Sequence, residues 1–394
     1  MARHYYLTRS GSLKRKDNTL LFELSEDEKE EDTESSDESS NEISDDENLN
    51  IGEGIGEDLL GELFDELQGE SEILELSDIL DHENEKPVKV KNKRVLPIED
   101  IDSLWVFREL DLNAKVLNFL AQKKIPVHFF NYYGFYSGSY YPREYLQAGF
   151  LLVKQVKHYN LMRRRLPIAR EFIAAGLHNI LRNLRYYGSR GTELLDETEI
   201  VQTEVLRLET VKDISQLMGC EGRARAGYYK AFEKILKPDL EFKKRVRRPP
   251  NNMVNAMISY TNGLVYSSCL TQIYRSQLNP TVSFLHEPGF RRFSLALDLA
   301  EIFKPILADR IIFKLFNNRQ LSEKNFAKDL NFCYLKDKGR KIVLQEWDKR
   351  LNTTIEHRRL KRKVSYERLI RLECYKLVKH LTEVETYKGF RAWW

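Results

Sequence analysis

The sequence predicts an α+β protein, with a β-rich amino-terminal domain at 1–145 followed by a larger all-α domain at 146–394. Three observations carry this reading. Outside one acidic stretch, the first 145 residues alternate between apolar and polar side chains and are punctuated by turn signals. From about Leu146 onward, apolar residues recur at helical spacing in long runs. At 26–86 an acidic insertion interrupts the first texture, and its first half is too charged to bury a core. A chain of 394 residues, 42% hydrophobic and 11% aromatic, has material for two domains.

Taken in order, HYYLT reads as a strand, SGSLKRKDN carries two turn signals, and TLLFEL reads as the next strand. After Leu24 the run SEDEKEEDTESSDESSNEISDDEN predicts disorder, because like charges repel and little apolar surface is available. Further on, Leu59, Leu60, Leu63, Phe64 and Leu67 fall at helical spacing. That pattern suits either a flexible acidic loop with nascent helix or a segment that docks a partner or mimics DNA. From Lys89, VKVKNKRVLPIEDIDSLWVF recovers β character and DLNAKVLNFLAQKKI reads as an amphipathic helix. IPVHFFNYYGFYSGSYYPR then predicts a strand and an aromatic hairpin with glycine at its turn.

Charge divides the chain in two. The formal +3 averages residues 26–85, which hold 26 acidic side chains against one lysine for a net −25, and a remainder at +28. So basic a body makes nucleic acid or another polyanion the leading partner class, with a merely soluble basic surface as the alternative. No window approaches the roughly 18 uninterrupted apolar residues of a membrane span, and MARHYYLTRSGSLKRKD lacks the apolar core of a secretory leader. The expectation is a cytoplasmic protein without a membrane partner. Cys220, Cys269, Cys333 and Cys374 are scattered without zinc-site spacing and read as reduced thiols.

Three places hold residues suited to chemistry. In MGCEGRARAGYYKAF, Glu221 follows Leu217 by four and precedes Ala224 by three, a register that sets it on or beside an inward helix face. An exposed helix carboxylate is the plainer reading of a lone Glu. In FLHEPGFRRFSLALDLAEIFK, Asp298 and Glu301 share a helix face among Leu295, Leu297, Leu299 and Phe303, with His286 a short loop upstream. Carboxylates in an apolar setting are costly unless something pairs with them. Basic runs at 162–170, 242–248 and 291–292 contribute Arg163, Arg164, Arg165, Arg247, Arg248, Arg291 and Arg292. Such runs are solvated faces, or, beside an acid and imidazole cluster, holders of a nucleic-acid backbone. One chemistry joins the three: a hard divalent cation prefers carboxylate oxygens, tolerates one imidazole and supplies the missing counter-charge.

The ordered motifs MGCEGRARAGYY, NMVNAMISYTNGLVYSS and FLHEPGFRRFSLALDLAEIFKPILADR resemble those of the CRISPR spacer-acquisition integrases, the "Cas one" endonucleases. The runs YYLTRSGSLKRKDNTLLFE and DLNAKVLNFLAQKKIPVHFFNYYGFYSGSYYPRE, and the tail YERLIRLECYKLVKHLTEVETYKGFRAWW, look like the subfamily of type I-B systems. The resemblance implies metal ligands at Glu221, His286 and Glu301, with Asp298 as an accompanying catalytic acid and Mg²⁺ or Mn²⁺ as the ion. Asn255, Ser259, Tyr260, Tyr228 and Tyr229 match supporting positions. Phe303-Lys304-Pro305 stands where many relatives have an arginine, keeping charge and losing a bidentate grip. It further implies DNA partners, namely a short fragment and a CRISPR repeat, a homodimer, and a small "Cas two" partner protein. The implied reaction is phosphodiester transesterification, with hydrolysis at the same site. A stand-alone repair nuclease and a non-catalytic nucleic-acid scaffold are the rival readings.

Overall fold

Two four-stranded sheets occupy the amino-terminal part of the computed structural model, which describes residues 3–25, 93–131, 134, 136–143, 146, 148–236, 240, 242–246, 249–289, 293–329 and 332–393. The predicted acidic insertion at 26–86, the helical pattern at 59–67, and Arg247, Arg248, Arg291 and Arg292 lie outside the described residues.

Strands β1 (Arg3–Leu7), β2 (Gly11–Lys16) and β3 (Thr19–Leu24) form where the alternation predicts them. In β3 the alternation is strict, with Leu20, Phe22 and Leu24 buried. Asp17, in the turn between β2 and β3, takes a left-handed φ of 52°, which Asp tolerates better than most residues. β4 (Lys93–Pro97) lies antiparallel beside β3, with Glu23 opposite Lys93. The connection from 24 to 93 thus joins hydrogen-bonded neighbours. Lengthening such a connection adds closure entropy only logarithmically, so the sheet forms despite it.

β5 (Ile101–Val106), β6 (Leu110–Leu112), helix α1 (Ala114–Lys123), β7 (Val127–Phe130) and β8 (Tyr136–Tyr140) complete this part. One sheet runs β1-β5-β7-β8, parallel except for β8, and the other β4-β3-β2-β6. Asn113 caps α1 by accepting from Val116 N at 3.0 Å. Trp105 is fully buried in β5, and its Nε1 donates to Ser103 at 2.9 Å.

The remainder is mainly helical: α2 (Gly149–Asn160), α3 (Met162–Gly188), α4 (Leu195–Arg207), α5 (Ile214–Ile235), α6 (Met253–Tyr274), α7 (Ser294–Phe303), α8 (Arg310–Asn317), α9 (Asp337–Asn352) and α10 (Tyr366–Leu381). Side-chain caps at Asp213, Asn252 and Ser365 start α5, α6 and α10. Helix α6 is buried on nearly every side, as an apolar sequence without a polar stripe requires. The expectation of an all-α second region needs one correction. Two hairpins stand among the helices, β9 (Phe326–Asp329) with β10 (Phe332–Leu335), and β11 (Thr354–His357) with β12 (Arg362–Ser365). Each strand is four residues long, too short for a period to emerge from the surrounding helical pattern.

Polar bonds tie the sheets to the helices. His128 of β7 bonds Thr271 of α6 at 2.8 Å, and Arg275 donates to Asp102 O at 2.6 Å. No helix among the described residues is long and apolar enough to cross a membrane.

Candidate metal centre

Helix α7 carries Asp298 and Glu301 and is buried along its whole length. Its position is set by α3, which crosses it at Gly176: a β-carbon there would lie 2.8 Å from the Glu301 carbonyl oxygen. Only glycine permits that approach. Pro305 brings no N–H to the next turn, and the chain widens into a π-helical turn at Pro305–Asp309. Two asparagines of α3 bond the carbonyls there. Asn179 donates to Ile302 O at 2.9 Å and Asn183 to Pro305 O at 2.7 Å.

Asp298 is fully buried and organises the loop that bears His286. Its Oδ2 accepts from Phe284 N at 2.7 Å and Leu285 N at 3.0 Å, and its Oδ1 from His286 N and His286 Nδ1, each at 2.9 Å. Four bonds occupy this carboxylate, so it acts as a template for the loop and an orienter of the imidazole. With Nδ1 donating to Asp298, His286 keeps the lone pair of Nε2 for a ligand. Burial would lower the His286 pKa, but the hydrogen bond and charge of Asp298 outweigh it and raise the value.

The same loop holds Arg165, one of the arginines that the sequence offers as a DNA contact. Arg165 is buried, with Nε donating to Phe284 O at 2.7 Å and Nη2 to Glu287 at 2.6 Å. Its guanidinium stacks over Tyr159, so its donors serve the His286 loop and are not presented to a backbone outside. Arg164 pairs with Glu383 at 2.9 Å, and Arg163 is exposed.

Glu221, on α5, faces inward across from α7. Glu221, His286 and Glu301 line one cavity of about 550 Å³, together with Arg225, Tyr229, Lys230, Lys243, Lys244, Arg245 and Lys304. The two acids already have organic counter-charges. Arg225 Nε donates to Glu221 Oε1 at 2.7 Å, its Nη2 bonds Glu301 Oε2, and Lys304 Nζ donates to Glu301 Oε1 at 3.0 Å. Burial raises the Glu221 pKa, helped by the charge of Glu301. Burial would raise Glu301 too, but Arg225 and Lys304 overcome it and hold that carboxyl far below the usual range. The costly acids of α7 are therefore paired within the chain, a solution the spacing of the motif did not disclose. The donor set of two carboxylates and one imidazole nitrogen nevertheless fits a hard divalent cation.

The basic wall has its own support. Asn255 of α6 donates to Lys244 O at 3.1 Å and accepts from Val246 N at 3.1 Å, while Arg245 donates to Ser259 at 2.9 Å. The motif that begins at Asn255 thus pins 244–246 beside the cavity. Lys230, Lys243 and Lys244 are exposed on it. Tyr229 lines the cavity, and Tyr228 is buried with its hydroxyl accepting from Asn183 at 2.9 Å.

Sequence reading missed a second cluster. His4, Asp102 and Glu367 each bring one potential ligand atom within 4.8 Å of the others, a grouping capable of chelating a divalent cation. These residues come from β1, β5 and α10, so no local motif announces them. Arg275 stands in the cluster, 2.6 Å from Asp102 and 3.3 Å from Glu367, and supplies counter-charge there. A cation at that place would compete with a guanidinium that also bonds Asp102 O.

Residues 79–349 match the family described as CRISPR associated protein Cas1. The chain is 50% identical over 303 residues to "CRISPR-associated endonuclease Cas1 3" of Thermodesulfovibrio yellowstonii, covering 77% of this chain and 92% of that protein. It is 50% identical over 304 residues to "CRISPR-associated endonuclease Cas1" of Fusobacterium nucleatum, covering 77% and 89%. Among solved structures, a CAS1 protein from Thermotoga maritima aligns over 99% of this chain and 100% of its own, with a TM-score of 0.73 and 32% identity. A casposase bound to integration product shares the fold, with a TM-score of 0.75 at 18% identity, over 99% of this chain and 93% of that one.

Proposed function

The chain belongs to the CRISPR-associated Cas1 family, and on that footing we propose that it inserts short foreign DNA fragments into a CRISPR array as a metal-dependent integrase and endonuclease. The observation that carries the reading is the gathering of Glu221, His286 and Glu301 around one cavity with lysines on its wall.

Those three residues would hold the ion, Mg²⁺ or Mn²⁺, which when bound stabilises charge on the attacked phosphate and acidifies a coordinated water or hydroxyl. Asp298 keeps His286 in the tautomer that presents Nε2. Lys230, Lys243 and Lys244 draw a phosphodiester into the cavity and set its register without reading bases. A fragment 3′-hydroxyl oxygen then bonds to phosphorus as the phosphate's bond to its original 3′ oxygen breaks, leaving a new 3′-hydroxyl. With water as the attacking group, the same site hydrolyses the strand.

The partners we assign are a DNA fragment, a CRISPR repeat, a second copy of this chain and a small "Cas two" protein, in the cytoplasm. The type I-B affinity rests on the amino-terminal and carboxy-terminal motif runs, and the division at 145/146 on the change from strands to helices.

The test is incubation of the protein with repeat-containing DNA, a labelled fragment, Mn²⁺ and the small partner protein. Covalently joined fragment and repeat are expected. Glu301→Ala should abolish joining while DNA binding remains. Shortened strands without joined product would assign a nuclease instead, and unchanged joining by the variant would remove this cavity from the reaction.

A further inference from the structure

Arg225 makes the strongest demand for a role. It is held between the two carboxylates assigned above as metal ligands, bonding Glu221 Oε1 with Nε and Glu301 Oε2 with Nη2. Its guanidinium also lines the cavity, so a short side-chain movement brings its donors to whatever anion enters. Arg225 sits four residues after Glu221, one turn along α5, which sets the two side chains on one face of the helix.

Charge bookkeeping shows why that position matters. Glu221 and Glu301 carry two negative charges, and Arg225 with Lys304 carries two positive ones. Adding a divalent cation while both side chains stay in place leaves an excess of +2 in a buried site, which is strongly unfavourable. A DNA phosphate in the cavity relieves the conflict, because it offers the guanidinium a bidentate anion of matching geometry.

We propose that Arg225 is an exchangeable counter-cation that competes with the divalent metal for Glu221 and Glu301 and moves onto the DNA phosphate when metal and DNA bind together. It follows that metal and DNA strengthen each other's binding, reciprocally and through this one side chain. The arrangement keeps the centre weakly metallated until a DNA backbone is present. The proposal rests on the metal-site reading given above.

The experiment measures Mn²⁺ binding by calorimetry and by electron paramagnetic resonance, with and without a short DNA duplex. The proteins are the full wild-type chain and its Arg225→Met, Arg225→Lys, Glu221→Gln and Glu301→Gln variants. Wild type should bind Mn²⁺ about 10-fold more tightly with DNA, within the usual range for coupled sites. R225M should bind Mn²⁺ about 10-fold more tightly than wild type without DNA and show little further gain with it. Its melting temperature should also rise more on adding Mn²⁺. R225K, which cannot bridge both acids, should fall between the two, and it decides the matter should R225M not fold. Equal or weaker Mn²⁺ binding by both Arg225 variants, with binding still lost in E221Q and E301Q, would overturn the proposal alone. Mn²⁺ binding that survives in E221Q and E301Q would overturn the metal-site reading and the proposal together.

Discussion

Replacing Asp298 by asparagine is the sharpest probe of how the site is built. The carboxylate accepts four hydrogen bonds from buried donors at 2.7–3.0 Å, two on each oxygen. An asparagine retains one acceptor oxygen; its amide nitrogen faces either Phe284 N and Leu285 N, or His286 N and an Nδ1 that can accept from it only by moving the imidazole proton to Nε2, where it blocks a ligand. A buried donor left without an acceptor costs about 1–3 kcal/mol, so one or two place the loss at about 1–6 kcal/mol. The loop at 283–287 can limit that loss by detaching, and His286 then leaves its tether to α7. D298N should accordingly lower the unfolding free energy in urea by more than about 1 kcal/mol and weaken Mn²⁺ binding in the same preparation. Stability within about 1 kcal/mol of wild type together with unchanged Mn²⁺ affinity would refute the template role, since the four bonds would then carry no net weight.

Three further outcomes follow from other parts of the molecule. Gly176→Ala sets a methyl group 2.8 Å from the Glu301 carbonyl oxygen; overpacking of this kind costs about 1–3 kcal/mol. Joining should fall more than DNA affinity, and an unshifted melting curve with full joining would contradict the close approach. His128 is held down to about 3 by burial and the charges of His4 and Arg275, against an ordinary 6.5. A depressed imidazole means the unfolded chain binds more protons, so stability is lost as pH falls from about 6.5 toward 3, by up to about 1.4 kcal/mol per unit. His128→Gln should flatten that slope in urea titrations at pH 7, 6 and 5, and parallel curves would exclude the effect. Removing residues 26–85 takes away a net charge of −25 from a body at +28. DNA affinity should then rise most at low salt, whereas an unchanged affinity and salt slope would show that the segment does not compete with DNA.

Much of the fold is legible locally. Leu20, Phe22 and Leu24 announce a strand buried on one face, and α1 has its cap in Asn113. The ordered motifs single out Glu221, His286 and Glu301, and the fold sets these three around one cavity. The burial of Arg165 is not legible in its basic run, which carries no sign of which member turns inward; packing against Tyr159 and the His286 loop makes that choice. His4, Asp102 and Glu367 were invisible because their separation in sequence exceeds any local period.

By itself, the sequence determined the alternation and helical spacing that select strands and helices, the separation of charge between 26–85 and the rest, and the residue types able to bind a hard cation. Those follow from interactions within a few residues. Only tertiary structure decided what neutralises Glu301, namely a guanidinium from α5 and the ammonium of Lys304. It alone decided that Asp298 is spent on the loop carrying His286. Both outcomes depend on how Arg225 of α5 and the loop at 283–287 meet a helix α7 that packs on α3 at Gly176, and short-range propensity contains no information about that meeting.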